Sequence, residues 1–244
     1  MSTTLPSLAV IIPAYNEEDK IKTVLESLLN QTIFPQQVIV VNNNSTDDTV
    51  TVAKSFATTF KRKKISFQVV SESIPGCGPA RNKGTKCSAA KIFAFLDADC
   101  VADPNWIATI HRHFLTNNSV AITGKVIMAD APFLVRMLTA LNWYQFYFWL
   151  GRLFFGFQFL GAGNYTIKRS AFIKAGGFDD TISDINHLED IEFAARLSKH
   201  GEVRYEKALL VHTSYRRYAN TAQAIPVFFE RSKQLAKIYR KYVY

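Results

Sequence analysis

Cysteine is scarce in this sequence: Cys77, Cys87 and Cys100 are the three in 244 residues. An odd, sparse set without CxxC spacing excludes a disulfide framework and argues against a structural zinc site. Reduced thiols in a cytosolic compartment are the plain expectation. Proline and glycine number 8 and 11, too few for a collagen-like or low-complexity chain. No internal repeat or linker breaks the sequence. Residues 1–7, MSTTLPS, lack the basic start and apolar stretch of a signal peptide, so the chain is expected on the cytoplasmic side. A dinucleotide fingerprint is also missing. Gly76-Cys77-Gly78 starts like one, but Arg81 stands where the third glycine belongs, and no GxGxxG opens the first helix. Walker-lysine, HExxH and GxSxG motifs are absent as well.

What is present suits one large domain, residues 1–244. Hydrophobic residues make up 48% and charged residues 20%, enough for a packed core and incompatible with global disorder. The net charge of +9 favours anionic partners such as nucleotide diphosphates or acidic lipid. It is not gathered into a nucleic-acid module, so no nucleic acid is expected.

The first half alternates strand-like and helix-like runs. Leu8–Ile12, Val38–Val41, Ile65–Val70 and Ile92–Leu96 are apolar; helical patterns follow Asn16, span 49–60 and cover 79–90. Asn16 is placed to cap the first helix, and Asp103-Pro104 reads as a cap followed by Pro at the first helical position. Continuous apolar strands separated by helices predict an α/β fold, its mostly parallel sheet flanked by helices. Ligands on such sheets lie beyond the strands' carboxyl ends, here Pro13–Glu18, Asn42–Asp48 and Asp97–Asp103. Further on, Val120–Met128 reads as a strand, 189–200 as a helix and 225–244 as a basic, aromatic helix.

Asp97-Ala98-Asp99 places two carboxylates just past a buried strand, where they can meet one hard divalent cation. Val10-Ile11-Ile12-Pro13-Ala14-Tyr15-Asn16-Glu17-Glu18 and Val41-Asn42-Asn43-Asn44-Ser45-Thr46-Asp47-Asp48-Thr49 precede it. Gly161-Ala162-Gly163-Asn164, Gly176-Gly177-Phe178-Asp179 and Glu189-Asp190 follow. In this order and spacing, from about Leu8 to about Arg217, the motifs resemble the family 2 glycosyltransferases.

That resemblance implies a three-layer GT-A fold and an inverting transfer of sugar from a nucleotide-diphospho-sugar, assisted by Mg2+ or Mn2+. It puts Pro13, Ala14, Tyr15 and Glu17 along the base and ribose, and Asn42 or Asn43 at the base edge. Arg81 and Asn82 lie beside the nucleotide. Asp97 and Ala98 approach the ribose and metal, Asp99 is the main metal ligand, and His212 matches a late histidine that completes the metal or diphosphate site. Asp190 is the implied general base, with Glu189 beside it. About 1–100 is then the nucleotide-sugar half, 101–217 the acceptor and catalytic half, and 218–244 a basic C-terminal helix. The implied acceptor is a glycan, a lipid-linked sugar or a polyprenyl phosphate, in cell-envelope glycan or glycolipid synthesis. Where the family often has Asp-Asp-Gly-Ser, this chain has Asn42-Asn43-Asn44-Ser45. An amide both accepts and donates, so uridine is not required of the donor.

Residue chemistry supports parts of this independently. A hydroxyl is a poor nucleophile and needs a base within hydrogen-bond reach. Glu189 and Asp190, being adjacent on a helix, should point about 100° apart, so only one should face the donor. Ile191 and Phe193 are apolar neighbours suited to keeping the site dry. The same acids also suit a helix N-terminus on dipole grounds alone. His212 reads equally as a structural histidine. Arg216 and Arg217 suit either a diphosphate or a solvated turn.

Residues 133–159 are dense in aromatics, Trp143, Trp149 and Phe154 among them, with Arg136 and Arg152 interspersed. The uncharged run from Met137 to Gly151 is about 15 residues, short of the roughly 20 that span a bilayer. Trp, Tyr and Arg together suit a membrane interface; an internal core or a dimer surface is the alternative. Two rival functions stay open: a nucleotidyltransferase, which the first loop fits poorly for want of glycine and lysine, and a non-catalytic membrane-binding scaffold.

Overall fold

A computed structural model describes residues 5–141, 143–161, 163–182 and 188–216. In chain order the elements are β1 (Leu8–Ala14), α1 (Glu18–Leu29), β2 (Gln37–Asn42), α2 (Thr49–Ser55), α3 (Ala57–Arg62), β3 (Ser66–Ser71), α4 (Cys77–Lys86), β4 (Ile92–Leu96) and β5 (Cys100–Ala102). There follow α5 (Trp106–Thr116), β6 (Ala121–Met128), α6 (Phe133–Ala140), α7 (Trp143–Phe155), β7 (Asn164–Lys168), α8 (Arg169–Lys174), α9 (Leu188–Ser198) and β8 (Val203–Thr213).

One sheet runs β3-β2-β1-β4-β7-β6-β8-β5. Its first four strands are parallel, as their unbroken apolar runs predict. The sheet as a whole is mixed, because β7 is antiparallel to both β4 and β6, and β5 is antiparallel to β8. β6 pairs parallel with β8. Since β4 and β6 both oppose β7, they run the same way. The carboxyl ends of β1, β2, β4, β6 and β8 therefore share one edge.

Alternation along β1 shows the three layers. Leu8, Val10 and Ile12 pack into a core with α1, α2, α3 and α5, around Ile21, Phe60 and Trp106. Ala9 and Ile11 face the opposite core with α4, α7, α8 and α9, around Phe148, Phe172 and Phe193. Both sets are fully buried, as period-2 geometry in a doubly covered sheet requires.

Local departures from the predicted elements have physical causes. The helix expected over 49–60 is two helices, broken at Phe56, whose N–H reaches back three residues to Ala53. Its first four positions, Thr49 to Val52, are Thr or Val, none of them a strong helix former. Asn16 does not cap α1; its φ is 52° and its side chain accepts from the Thr46 N–H at 2.9 Å. Glu17 occupies the N-cap, with Glu18 and Asp19 in the first turn. α5 likewise starts at Trp106 after Asn105, and Asp103 accepts from the Asn105 N–H one turn earlier. The expected basic helix over 218–244, Arg217 and the side chain of Trp143 lie outside the described residues.

Candidate functional site

β4 delivers Asp97 to the shared carboxyl edge, just beyond Leu96. The Asp97 N–H donates to the Gly163 carbonyl at 3.2 Å. Gly163 has φ +57°, and a Cβ there would lie 2.0 Å from the Asp97 Cγ. Only glycine lets the β7 approach pass this close to the carboxylate. Gly163→Ala should therefore lower unfolding stability by about 2 kcal/mol or more, from strain and overlap combined. A urea-unfolding midpoint equal to that of the parent chain would show that the two segments are not pinned together.

α4 supplies the opposite charge. At Gly84 a Cβ would meet Ile11 and Val41 at 2.4 and 3.2 Å, so glycine lets α4 lie close on β1 and β2. Arg81, three residues earlier, is buried. Its Nη2 donates to Asp97 Oδ1 at 3.0 Å, and its Nη1 donates to Asp190 Oδ1 at 3.0 Å and Glu189 Oε1 at 3.3 Å. The rings of Tyr165 and Phe178 flank the guanidinium, each centroid 5.6 Å from its Cζ. Burial works against the charge on Arg81, but Asp190, Tyr165 and Asp97 outweigh it and hold the group well above the ordinary guanidinium range. These four groups, one guanidinium and three carboxylates, sum to a formal −2.

Tyr165 completes the cluster. Its hydroxyl donates to Asp190 Oδ1 at 2.6 Å. Burial, with Asp190 alongside and Arg81 opposing, pushes the phenol well above its ordinary range. It stays a fixed O–H donor. Sequence reasoning missed Tyr165 because a tyrosine in an apolar strand reads as core; its position directly after Gly163-Asn164 was the available signal. Glu189 and Asp190 are both buried, and both reach one Arg81 nitrogen. Adjacent helix residues point about 100° apart, yet these two side chains converge on the same guanidinium. Phe193 is fully buried beside them, whereas Ile191 is only partly so.

The remaining sequence-predicted residues fall into two groups. Asn43 is buried, and its amide donates to the Glu72 and Ile74 carbonyls at 3.0 and 2.7 Å while accepting from the Gly76 N–H at 2.7 Å. It thereby holds the loop that opens α4. Asn42 accepts from the Ser45 N–H at 3.1 Å. Asn82 binds the Phe178 backbone on both sides and Asp180, fixing the loop that carries the Phe178 ring. These amides build the frame around Arg81.

The second group lines the carboxyl edge. Pro13, Ala14 and Ala98 are buried, and Tyr15 is 60% exposed. Glu17 is buried and takes a two-pronged ion pair from Arg216 Nη2 at 2.8 and 2.9 Å, tying the chain after β8 to the β1–α1 turn. Asp99 accepts from Thr213 Oγ1 at 3.4 Å. β8 pairs with β5 so that Thr213 lies opposite Cys100 and His212 opposite Val101. Adjacent strand residues point to opposite faces, so His212 and Thr213 diverge. Among the described residues no three His, Cys, Asp or Glu side chains gather as a metal cluster.

Residues 9–175 match the family model described as Glycosyl transferase family 2. The chain is 37% identical over 110 residues to Glycosyltransferase AglE of Haloferax volcanii, covering 44% of this chain and 35% of that protein. It is 25% identical over 234 residues to Validoxylamine A glucosyltransferase of Streptomyces hygroscopicus subsp. limoneus, covering 81% of this chain and 49% of that protein. The matched stretches thus span 35% to 49% of these curated relatives. Among solved structures, mannosyltransferase PcManGT from Pyrobaculum calidifontis, in complex with GDP-Man and Mn2+, is similar at TM-score 0.73 and 19% identity, over 99% of this chain and 65% of that one. TarS of S. aureus in complex with UDP-GlcNAc is similar at TM-score 0.65 and 17% identity, over 85% and 58%. At such identities the structural likeness establishes the fold.

Proposed function

The chain belongs to glycosyltransferase family 2 and has its α/β GT-A fold, and on that premise we propose that it transfers a sugar, with inversion, from a nucleotide-diphospho-sugar to an acceptor hydroxyl. The observation that carries this reading is the buried Arg81 joining Asp97, at the end of β4, to Glu189 and Asp190, at the start of α9. Donor-side and acceptor-side carboxylates are thereby held around one centre. The nucleotidyltransferase reading loses its ground to family membership. The non-catalytic scaffold remains the outcome if no donor binds.

In this reaction the acceptor O–H gives its proton to Asp190 as its oxygen bonds to the anomeric carbon. On the opposite face the bond from that carbon to the diphosphate oxygen breaks, and the nucleoside diphosphate leaves. Arg81 and Tyr165 hold Asp190 through Oδ1, which fixes where its carboxylate points. Glu189 shares the Arg81 nitrogen and steadies it. Where the acceptor is a polyprenyl or other lipid phosphate, no deprotonation is needed and Asp190 orients it instead.

The donor set fits a hard divalent cation, Mg2+ or Mn2+. Such ions take one or two carboxylates together with substrate phosphate oxygens, so Asp99 and Asp97 suffice without a closed protein cage, and without His212, which diverges from Thr213 on β8. When bound, the ion supplies charge stabilisation to the departing diphosphate. The Mn2+ bound with GDP-Man in the PcManGT complex supports a divalent ion, without naming its ligands in this chain.

A panel of nucleoside diphosphates and nucleotide sugars, read by thermal stabilisation with and without Mn2+, tests the proposal. The right donor should raise the melting temperature more with the metal than without it. Asp99→Asn should keep the fold, because the residue stands beyond the sheet, and should lose about ten-fold or more of the metal-dependent affinity. Unchanged Mn2+-dependent binding in that variant removes Asp99 from the metal site.

A further inference from the structure

Between the end of β6 at Met128 and the start of β7 at Asn164 the chain leaves the carboxyl edge and returns to it. Leu96 pairs with Asn164 and Met128 with Thr213, so both ends of this excursion adjoin the strands that carry Asp97 and Asp99. The excursion is α6 and α7. Its inner side is fastened down: Phe148, Phe157 and Phe159 are buried in the core beneath, and Lys125 Nζ donates to the Ala140 carbonyl at 2.6 Å.

Its outer side is apolar and, among the described residues, exposed. Phe133, Leu134 and Leu141 on and after α6, and Trp149, Leu153 and Phe154 on α7, are 54% to 71% exposed. The spacing in each case is helical, so each set forms a stripe on one face. Stripes of this size rimmed by polar groups mark an interaction surface.

Charge selects the occupant. Neither α6 nor α7 carries an Asp or Glu, and their charged residues, Arg136 and Arg152, are both exposed. A second copy meeting this face about a two-fold axis would bring the same cations against themselves. An anionic lipid surface instead offers negative headgroups to the arginines and an acyl boundary to Trp and Phe. Among the described residues no helix is long and apolar enough to cross a membrane, so the pair would lie along the interface.

We propose that the outer face of α6–α7 docks the protein on anionic lipid, presenting the carboxyl edge of the sheet to the bilayer surface. The inference goes beyond the transfer reaction, and vesicle binding without donor tests it separately. Phosphatidylcholine vesicles with and without phosphatidylglycerol, floated with the full chain, should recover protein only when the anionic lipid is present. Raising salt to about 1 M shortens the Debye length from about 10 Å to about 3 Å and should release it. Arg136→Gln and Arg152→Gln should each weaken binding roughly five-fold. Trp149→Ala with Phe154→Ala should weaken it by about ten-fold or more, with the melting temperature held. If that double variant unfolds, Leu153→Glu replaces it, adding an acid at an exposed position. No flotation of the parent chain, or equal recovery on both vesicles, overturns the proposal. So does a salt-stable dimer, by sedimentation, that the Leu153→Glu change dissociates while leaving flotation intact.

Discussion

Arg81→Met should cost about 3–5 kcal/mol of folding stability, the scale reached when one partner of a buried ion pair is removed. The side chain is buried and bridges Asp97, Glu189 and Asp190. Methionine fills similar space, so the loss is of charge rather than volume. Three carboxylates then face one another without the guanidinium, and domains of this kind have only about 5–15 kcal/mol in hand. Urea unfolding reads the effect. The deficit should be large near neutral pH and should narrow as the pH falls and acid neutralises part of the stranded charge. Arg81→Lys should recover a fraction only, because a single ammonium cannot reproduce a planar fork that reaches carboxylates on both sides. A variant as stable as the parent would mean that Arg81 is not what holds the acids together.

The same cluster shows where sequence reading succeeds and where it stops. β1 and β4 are legible because buried parallel strands leave unbroken apolar runs, and Asp97 and Asp99 are legible because they end such a run. The partners of Arg81 are not, since they lie 16, 108 and 109 residues away along the chain. Helix geometry correctly separates the Cα–Cβ directions of Glu189 and Asp190. It cannot foresee that a forked guanidinium, approached by side chains of different length, receives both. β5 went unread because three residues on a sheet edge leave no periodic trace. The asparagine run read as polar and turn-like, as it is. That Asn43 would hold the Glu72–Gly76 segment, and through it the start of α4, depends on a contact 29 to 33 residues distant.

Asp190→Asn should reduce turnover by about 10²–10⁴, the usual worth of a positioned general base. Asparagine keeps the size of the side chain and still accepts hydrogen bonds from Arg81 and Tyr165, so the site should retain its shape. It cannot take a proton from the acceptor. The loss should therefore appear in kcat, with donor KM within a few-fold of the parent, since an interaction made only in the transition state is missing. Removing one negative charge from the Arg81 cluster also leaves two carboxylates for the guanidinium, which keeps the fold from inheriting the penalty expected of Arg81→Met. That difference separates the two variants: one damages stability first, the other chemistry first. Steady-state kinetics with saturating acceptor, alongside donor binding and urea unfolding on the same preparation, distinguish them. Turnover that survives in Asp190→Asn but falls in Glu189→Gln would move the base one residue back. Turnover that survives in both would assign the reaction an acceptor already ionised, such as a lipid phosphate, for which the carboxylates only orient.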